Sequence, residues 1–265
     1  WNSVWSGAFY PDLVNTSNTV TAVDFGFDLA GGTDSYNGPG GVIDAAALGA
    51  LGGSTNAVND YYTSSRFQIQ GLNPFRRYNL TFFGSHAYST DTSTVYTVFS
   101  DGAYTQAVAQ AGLNVQQPDA PWLHNSNTVT VITNLAPQAG NILYVQFEGN
   151  DGGNGYLNAL KIDVYIPDPT YDSWAFDYPG LGGRFADDDN DGWVNLAEFA
   201  LGGIPTNGTA NGYVPTVRMA SVNGTNQLVY AYGRRTTDSG LTYYLETAGD
   251  LVLADWTTGG YTTSS

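Results

Sequence analysis

FQIQGLNPFRRYNLTFFGS, residues 67–85, holds two runs rich in aromatic and branched side chains with a break between them. In the second run Tyr78, Leu80 and Phe82 alternate with Asn79 and Thr81. A period of two sends one set of side chains to a core and the other to water, which is the pattern of a half-buried strand. Gly71 and the pair Asn73-Pro74 interrupt the pattern with turn chemistry. The segment therefore predicts a strand over 66–69, a turn, and a strand over 78–83.

The same grammar repeats on either side. Strands are expected at 20–25, 94–99, 104–108, 128–133, 142–147 and 156–165. Ser100-Asp101-Gly102 lies between two of these runs, and an Asp-Gly pair flanked by strand residues signals a hairpin. Pro137, Gly140 and the Gly-rich 149–155 mark further turns. Ala-rich 44–51 is expected to form only a short helix, because Gly49, Gly52 and Gly53 weaken it. Many short strands without helices between them predict an all-β chain built on an antiparallel sandwich of jelly-roll type. The sandwich is expected to occupy 1–166, followed by a linker over 167–205 and a small β-module over 206–265. That last part carries strand patterns at 217–219, 227–232 and 241–246.

The linker contains DDDNDGWVNLAE, residues 187–198. Carboxylates stand at the first, third and fifth positions (Asp187, Asp189, Asp191), Gly192 at the sixth, Asn195 at the ninth and Glu198 at the twelfth. A hard cation that takes oxygen ligands at about 2.3–2.6 Å needs this spacing, with glycine at the sharp turn. Trp193 would add its backbone carbonyl, Asn195 would act directly or through water, and Glu198 would supply two oxygens. A solvated acidic turn is the plainer alternative. The helical run 196–201, stopped by Gly202, Gly203 and Pro205, favours the calcium loop. Pro179, Gly180, Gly182 and Gly183 leave no room for a long helix leading in, so the expected calcium is structural and not regulatory.

These segments carry a resemblance. VDFGF at 23–27, residues 67–85 and GGNGYLNALKIDVY at 152–165 resemble jelly-roll modules of galactose-binding type that accompany secreted glycan-active enzymes. Residues 187–198 resemble the half-EF-hand loops of dockerins and secreted bacterial polysaccharide-active proteins. GRRTTDSGLTYYLETAGDL at 233–251 and DWTTGGYT at 255–262 resemble the small C-terminal module of secreted bacterial sulfatases and glycan hydrolases, which usually continues for more strands. The resemblance implies a fold more than a ligand.

Composition narrows the function classes. The 265 residues include no cysteine, 24 acidic and 8 basic side chains, for a formal net charge of −16. Nucleic acid and anionic membrane both require a basic patch, so neither is an expected partner. No apolar run approaches the roughly 20 residues of a membrane span. Only 12% of residues are charged and 14% are aromatic, which is not the make-up of a disordered acidic tail. Weak calcium binding, an absence of disulfides and a chain opening at Trp1 lead to the expectation of a mature protein outside the cell or at its surface.

No arrangement in the sequence has the form of an active site. His86 and His124 lie in no metal spacing and beside no serine elbow. Asp24, Asp28, Asp34, Asp101, Glu148 and Asp151 sit mostly in turn contexts. Two non-catalytic readings remain. The first is self-assembly into a fibre or surface layer, since the strands carry few guarding charges beyond Lys161. Trp1, Trp5, Phe9 and Tyr10 would then form an apolar plug for a neighbouring copy. The alternative is a carbohydrate-binding module, with Trp122, His124 and Tyr88 as aromatic contacts in loops. Polysaccharide or covalent glycans are the further partners expected, with Asn15, Asn79, Asn207 and Asn223 matching N-x-Ser/Thr.

Overall fold

Strands β5 (Ser65–Gln70) and β6 (Arg77–Phe83) form where the alternation places them, but they do not pair with each other. The turn between them carries the chain from one sheet to another. Gly71 makes this crossing with φ of +67°, and a Cβ there would lie 1.8 Å from the carbonyl oxygen of Ala22. Only glycine fits both the torsion and the space. Asn73 fixes the next corner, its Oδ1 accepting from the amide of Phe75 while its own amide donates to the Tyr78 hydroxyl.

The computed structural model describes residues 2–260 apart from 5–8, 30–31, 36–43, 54–57, 87–90, 118–119, 151, 168–169, 237–239, 250–251 and 254. Its packing divides the chain into two units, Trp1–Pro167 and Asp168–Ser265. In the first unit the larger sheet runs β1 (Phe9–Tyr10), β2 (Asp24–Leu29), β5, β12 (Leu143–Gly149), β7 (Ser93–Phe99), β8 (Ala107–Asn114). The smaller runs β11 (Thr130–Leu135), β6, β14 (Ala159–Tyr165). Short ladders complete the unit: β3 (Thr33–Ser35), β4 (Asp60–Thr63) and β13 (Tyr156–Leu157) form one, and β9 (Gln116–Gln117) with β10 (Ala120–His124) the other. Every strand pairing is antiparallel, as the sequence predicts.

Phe67, Ile69, Tyr96, Val98, Val145 and Phe147 of the larger sheet meet Tyr78, Leu80, Phe82 and Ile132 of the smaller in one buried cluster. The rings of Phe82 and Tyr96 stack at 4.3 Å and join the two layers. Burying each such side chain contributes about 1.5–3 kcal/mol, so this is the main stabilisation of a sandwich. The described residues of the N-terminal segment pack on their own unit. Val4, Tyr10 and Leu13 rest against the core, and Asn2 exchanges two hydrogen bonds of 2.9 Å with Val14. Phe9 is exposed, while Trp1 and Trp5 lie outside the described residues.

Three strand expectations need correction. The strand expected over 20–25 runs Asp24–Leu29, because Thr21 and Val23 are tied to Leu13 before the ladder begins. Residues 104–106 belong to a turn, and β8 starts only at Ala107: the Asp101 carboxylate accepts from the amides of Ala103, Thr105 and Gln106, holding Tyr104 at φ of +58°. Residues 241–246 form no strand; a lone bridge joins Thr247 to Thr257. The Ala-rich segment gives the helix Ala45–Leu48, capped by Asp44, then a 3₁₀ turn over Gly49–Gly53.

The second unit begins with the helix Tyr171–Ala175, capped by Thr170, followed by the acidic loop and the helix Asn195–Leu201. Gly202 ends that helix at φ of +81°. A hairpin of β15 (Thr216–Val222) and β16 (Thr225–Ala231) follows. Tyr213 donates its amide to Leu201, the Tyr243 hydroxyl donates to Ala200, and Arg235 donates to the Phe199 carbonyl, so the loop helix anchors the later segment. Among the described residues no helix is long and apolar enough to cross a membrane.

Candidate functional site

The acidic loop folds back on itself through its own amides. Asp187 accepts from the amides of Asp191 (3.2 Å) and Gly192 (3.0 Å), and Asp191 accepts from the Trp193 amide at 2.8 Å. Asn190 and Gly192 take the left-handed conformation, at φ of +61° and +94°, which turns the loop tightly enough for alternate carboxylates to converge. One oxygen from each of Asp187, Asp189 and Asp191 lies within 4.8 Å of the others. Asp188, in the second place, is turned aside to accept from the Gly182 amide (2.9 Å) and from Asn195 (2.6 Å).

Burial makes this cluster more than a surface turn. Glu198 is 1% exposed and Asn195 fully buried. Neither oxygen of Glu198, nor either oxygen of Asp189, has a hydrogen-bond partner among the described residues. Burial, and then the carboxylates of Asp189, Asp191, Asp187 and Asp188, push the Glu198 carboxyl up to about 7. Leaving a buried carboxylate without a counter-charge costs several kcal/mol. The chemistry of this donor set, all oxygen and strongly negative, fits a hard divalent cation. Asn211 closes the far side, donating to Asp191 at 2.6 Å, a contact the twelve-residue pattern gives no sign of. The Asn195 side-chain nitrogen is spent on the Gly183 carbonyl and Asp188, so this residue also ties the loop to the segment before it.

Of the three residues expected to bind sugar, only His124 has its side chain among the described residues. Trp122 lies within β10 and not in a turn. Its side chain and all of Tyr88 are outside the described residues. His124 is buried at 4% exposure, its ring 5.5 Å from that of His86. His86 in turn stacks on Tyr156 at 3.9 Å, and the Tyr156 hydroxyl donates to Asp91. Burial, and then His86, lower the pKa of His124. This cluster is interior and offers no face to a polymer.

Sequence reasoning missed a groove of about 620 Å³ on the first unit. Ser93, Val95, Gly112 and Asn114 form its floor, and Asn127, Thr128 and Asn150 stand at its sides. In the β7–β8 ladder Ser93 faces Asn114 and Val95 faces Gly112. Alternate residues Thr94 and Leu113 are buried in the sandwich, so the floor residues point outward. Asn125 fixes the wall. Its amide nitrogen donates to Gly84 (3.0 Å) and Thr128 (2.7 Å), while its oxygen accepts from the Thr128 amide at 2.8 Å. Among the described residues no ionisable side chain lines the groove.

No family model and no curated protein matches the chain. Among solved structures, it is similar to the CBM32 module of AlyQ in complex with 4,5-unsaturated mannuronic acid, at 11% identity and a TM-score of 0.27, over 52% of this chain and 96% of that one. It is also similar to the CBM62 module of Clostridium thermocellum Xyl5A, at 14% identity and a TM-score of 0.25, over 51% of this chain and 94% of that one.

Proposed function

We propose that this chain is a non-catalytic, extracellular module that binds carbohydrate on its sandwich and is stabilised by calcium in its second unit. The observation that carries the reading is the groove. It is concave, held by a hydrogen-bonded loop, and lined with amides and hydroxyls that match the donors and acceptors of a saccharide. Asp187, Asp189, Asp191, Asn195, Glu198 and the carbonyl of Trp193 would hold the cation, whose charge would offset the repulsion among these carboxylates. Retention of the intact chain on immobilised polysaccharides, with assay for released reducing ends, tests both halves of the claim. Failure to bind any polysaccharide, or release of sugar, would overturn it.

Self-assembly is the second reading, and it is favoured by the hairpin. Val217 pairs with Tyr230 and Met219 with Leu228 on one face, and these side chains are between 42% and 69% exposed. A two-stranded ribbon is marginal by itself, and a strand of another copy would extend either edge. Of the expected plug, Tyr10 rests on its own sandwich and Phe9 is exposed, while Trp1 and Trp5 lie outside the described residues, so the hairpin is the surface to test first. Light scattering of the intact chain against Leu228→Lys separates the readings: assembly predicts large particles that the variant disperses.

A further inference from the structure

We infer that the groove selects an uncharged, hydroxyl-rich saccharide, read by asparagine side chains across a floor kept open by Gly112. The inference rests on the carbohydrate-binding reading above and adds the ligand's class and its seat.

Gly112 is the first reason. Glycine inside a strand weakens it and calls for a cause such as a bulge, a bend or a close approach. Its ladder with Val95 is regular at this point. Its backbone is outside the left-handed region, and a Cβ built on it would meet nothing within 4 Å. Neither torsion nor packing excludes a side chain here. What the glycine leaves is a hollow over Val95, between Asn114 and the 125–129 wall, where the flat face of a sugar ring has room to lie.

Charge is the second reason. The chain carries 24 acidic residues against 8 basic ones, yet among the described residues the lining holds neither sign. An acidic sugar would find no cation in the groove and would face the negative field of the whole molecule. A cationic sugar would find no carboxylate among the described lining residues. A neutral ring needs only paired donors and acceptors, and a side-chain amide presents one of each to adjacent hydroxyls. Asn114 and Asn150 spend no side-chain hydrogen bond on the described protein, and Asn127 accepts one from Thr128 at 3.1 Å, which leaves its nitrogen to donate. The wall is preorganised by buried Asn125, so little ordering is lost on binding.

Affinity electrophoresis of the intact chain in calcium, through gels containing neutral polymers (xyloglucan, galactomannan, β-glucan, starch) or acidic ones (alginate, polygalacturonate), tests this. Neutral polymer should retard the chain and acidic polymer should not. Gly112→Leu fills the hollow and should abolish the retardation while leaving circular dichroism and melting unchanged. Asn127→Ala, at an exposed position, should weaken binding about tenfold, the loss of one to two neutral hydrogen bonds. Retardation by acidic polymer alone would overturn the selection, and full retention by both variants would overturn the seat. Either result leaves carbohydrate binding standing. No retardation by any polymer would overturn the carbohydrate reading and this inference with it.

Discussion

Chelating calcium should lower the melting of the second unit by roughly 10–20 °C. Extracellular calcium modules bind at about 10⁻⁴–10⁻³ M. At about 10 mM calcium and the tighter limit, occupancy stabilises the folded state by about 2.7 kcal/mol. That order of magnitude is in keeping with the site, because the carboxylate oxygens of Asp189 and Glu198 are buried with no donor among the described residues, and breaking a buried ion pair costs about 3–5 kcal/mol. For a unit of about a hundred residues, each kcal/mol moves Tm by about 4–8 °C. Calorimetry in calcium and in chelator, on protein whose metal content has been measured, reads the shift. Near-ultraviolet dichroism reports the same event through Trp174, which packs on Phe199 at 5.4 Å. Glu198→Gln sharpens the test. Removing the charge relieves repulsion, so the variant should match or exceed the parent in chelator yet gain little from calcium. An unchanged Tm on chelation, or an equal calcium response in the variant, would refute the reasoning.

Three further outcomes are expected. Gly71→Ala should cost at least about 3 kcal/mol or prevent folding, since the new methyl meets the Ala22 carbonyl in a left-handed turn; urea titration of soluble protein checks it, and a loss under about 1 kcal/mol would contradict the crossing geometry. Tyr96→Phe should cost about 1–3 kcal/mol by leaving the buried Tyr156 carbonyl without its 2.5 Å donor. His124, held below its usual pKa by burial and then by His86, binds its proton less readily folded than unfolded. Stability from this group is therefore full above about pH 6.5 and is lost as the pH falls below it; melting of the sandwich from pH 7.5 to 5 should show the slope, and His124→Phe should flatten it.

What the sequence disclosed and what it withheld follow from the range of each signal. The acidic loop is local: twelve consecutive residues carry the spacing, and the structure brings Asp187, Asp189 and Asp191 together as written. The alternation of Tyr78, Leu80 and Phe82 is likewise local, and all three are buried. Partner choice is not local, so nothing in residues 67–85 says that β5 and β6 lie in different sheets. The reading of 104–108 as strand weighed its apolar residues above the turn-holding power of Asp101, which reaches three amides at once. His124 resembled a loop aromatic but is interior, because its burial depends on His86 and Tyr156, distant in sequence. The groove draws on four separated segments, two of them strands, whose amides meet only in the fold. Its one legible trace was Gly112 inside the strand run AVAQAGLN.

A chain without cysteine must hold its loops by other means, and the two units do so differently. In the sandwich, tyrosines act as cross-ties: buried Tyr96 donates to the Tyr156 carbonyl, buried Tyr156 to Asp91, and half-buried Tyr62 to the Val4 carbonyl at 2.5 Å. Each combines a large apolar area with a satisfied hydroxyl, so it adds to the core it spans. The second unit has no comparable interior. Among its described residues the buried apolar side chains are Tyr171, Phe199, Leu201 and Pro205, while Asn195, Glu198 and Ser173 are buried as well. Small cores of this kind usually depend on disulfides, metals or association. Disulfides are excluded, and the carboxylate cluster is where the proposed metal would bind. The sandwich has no such cluster among its described residues. Chelator should therefore move one calorimetric transition and leave the other in place, and a joint shift of both would show that the calcium loop is not the staple argued here.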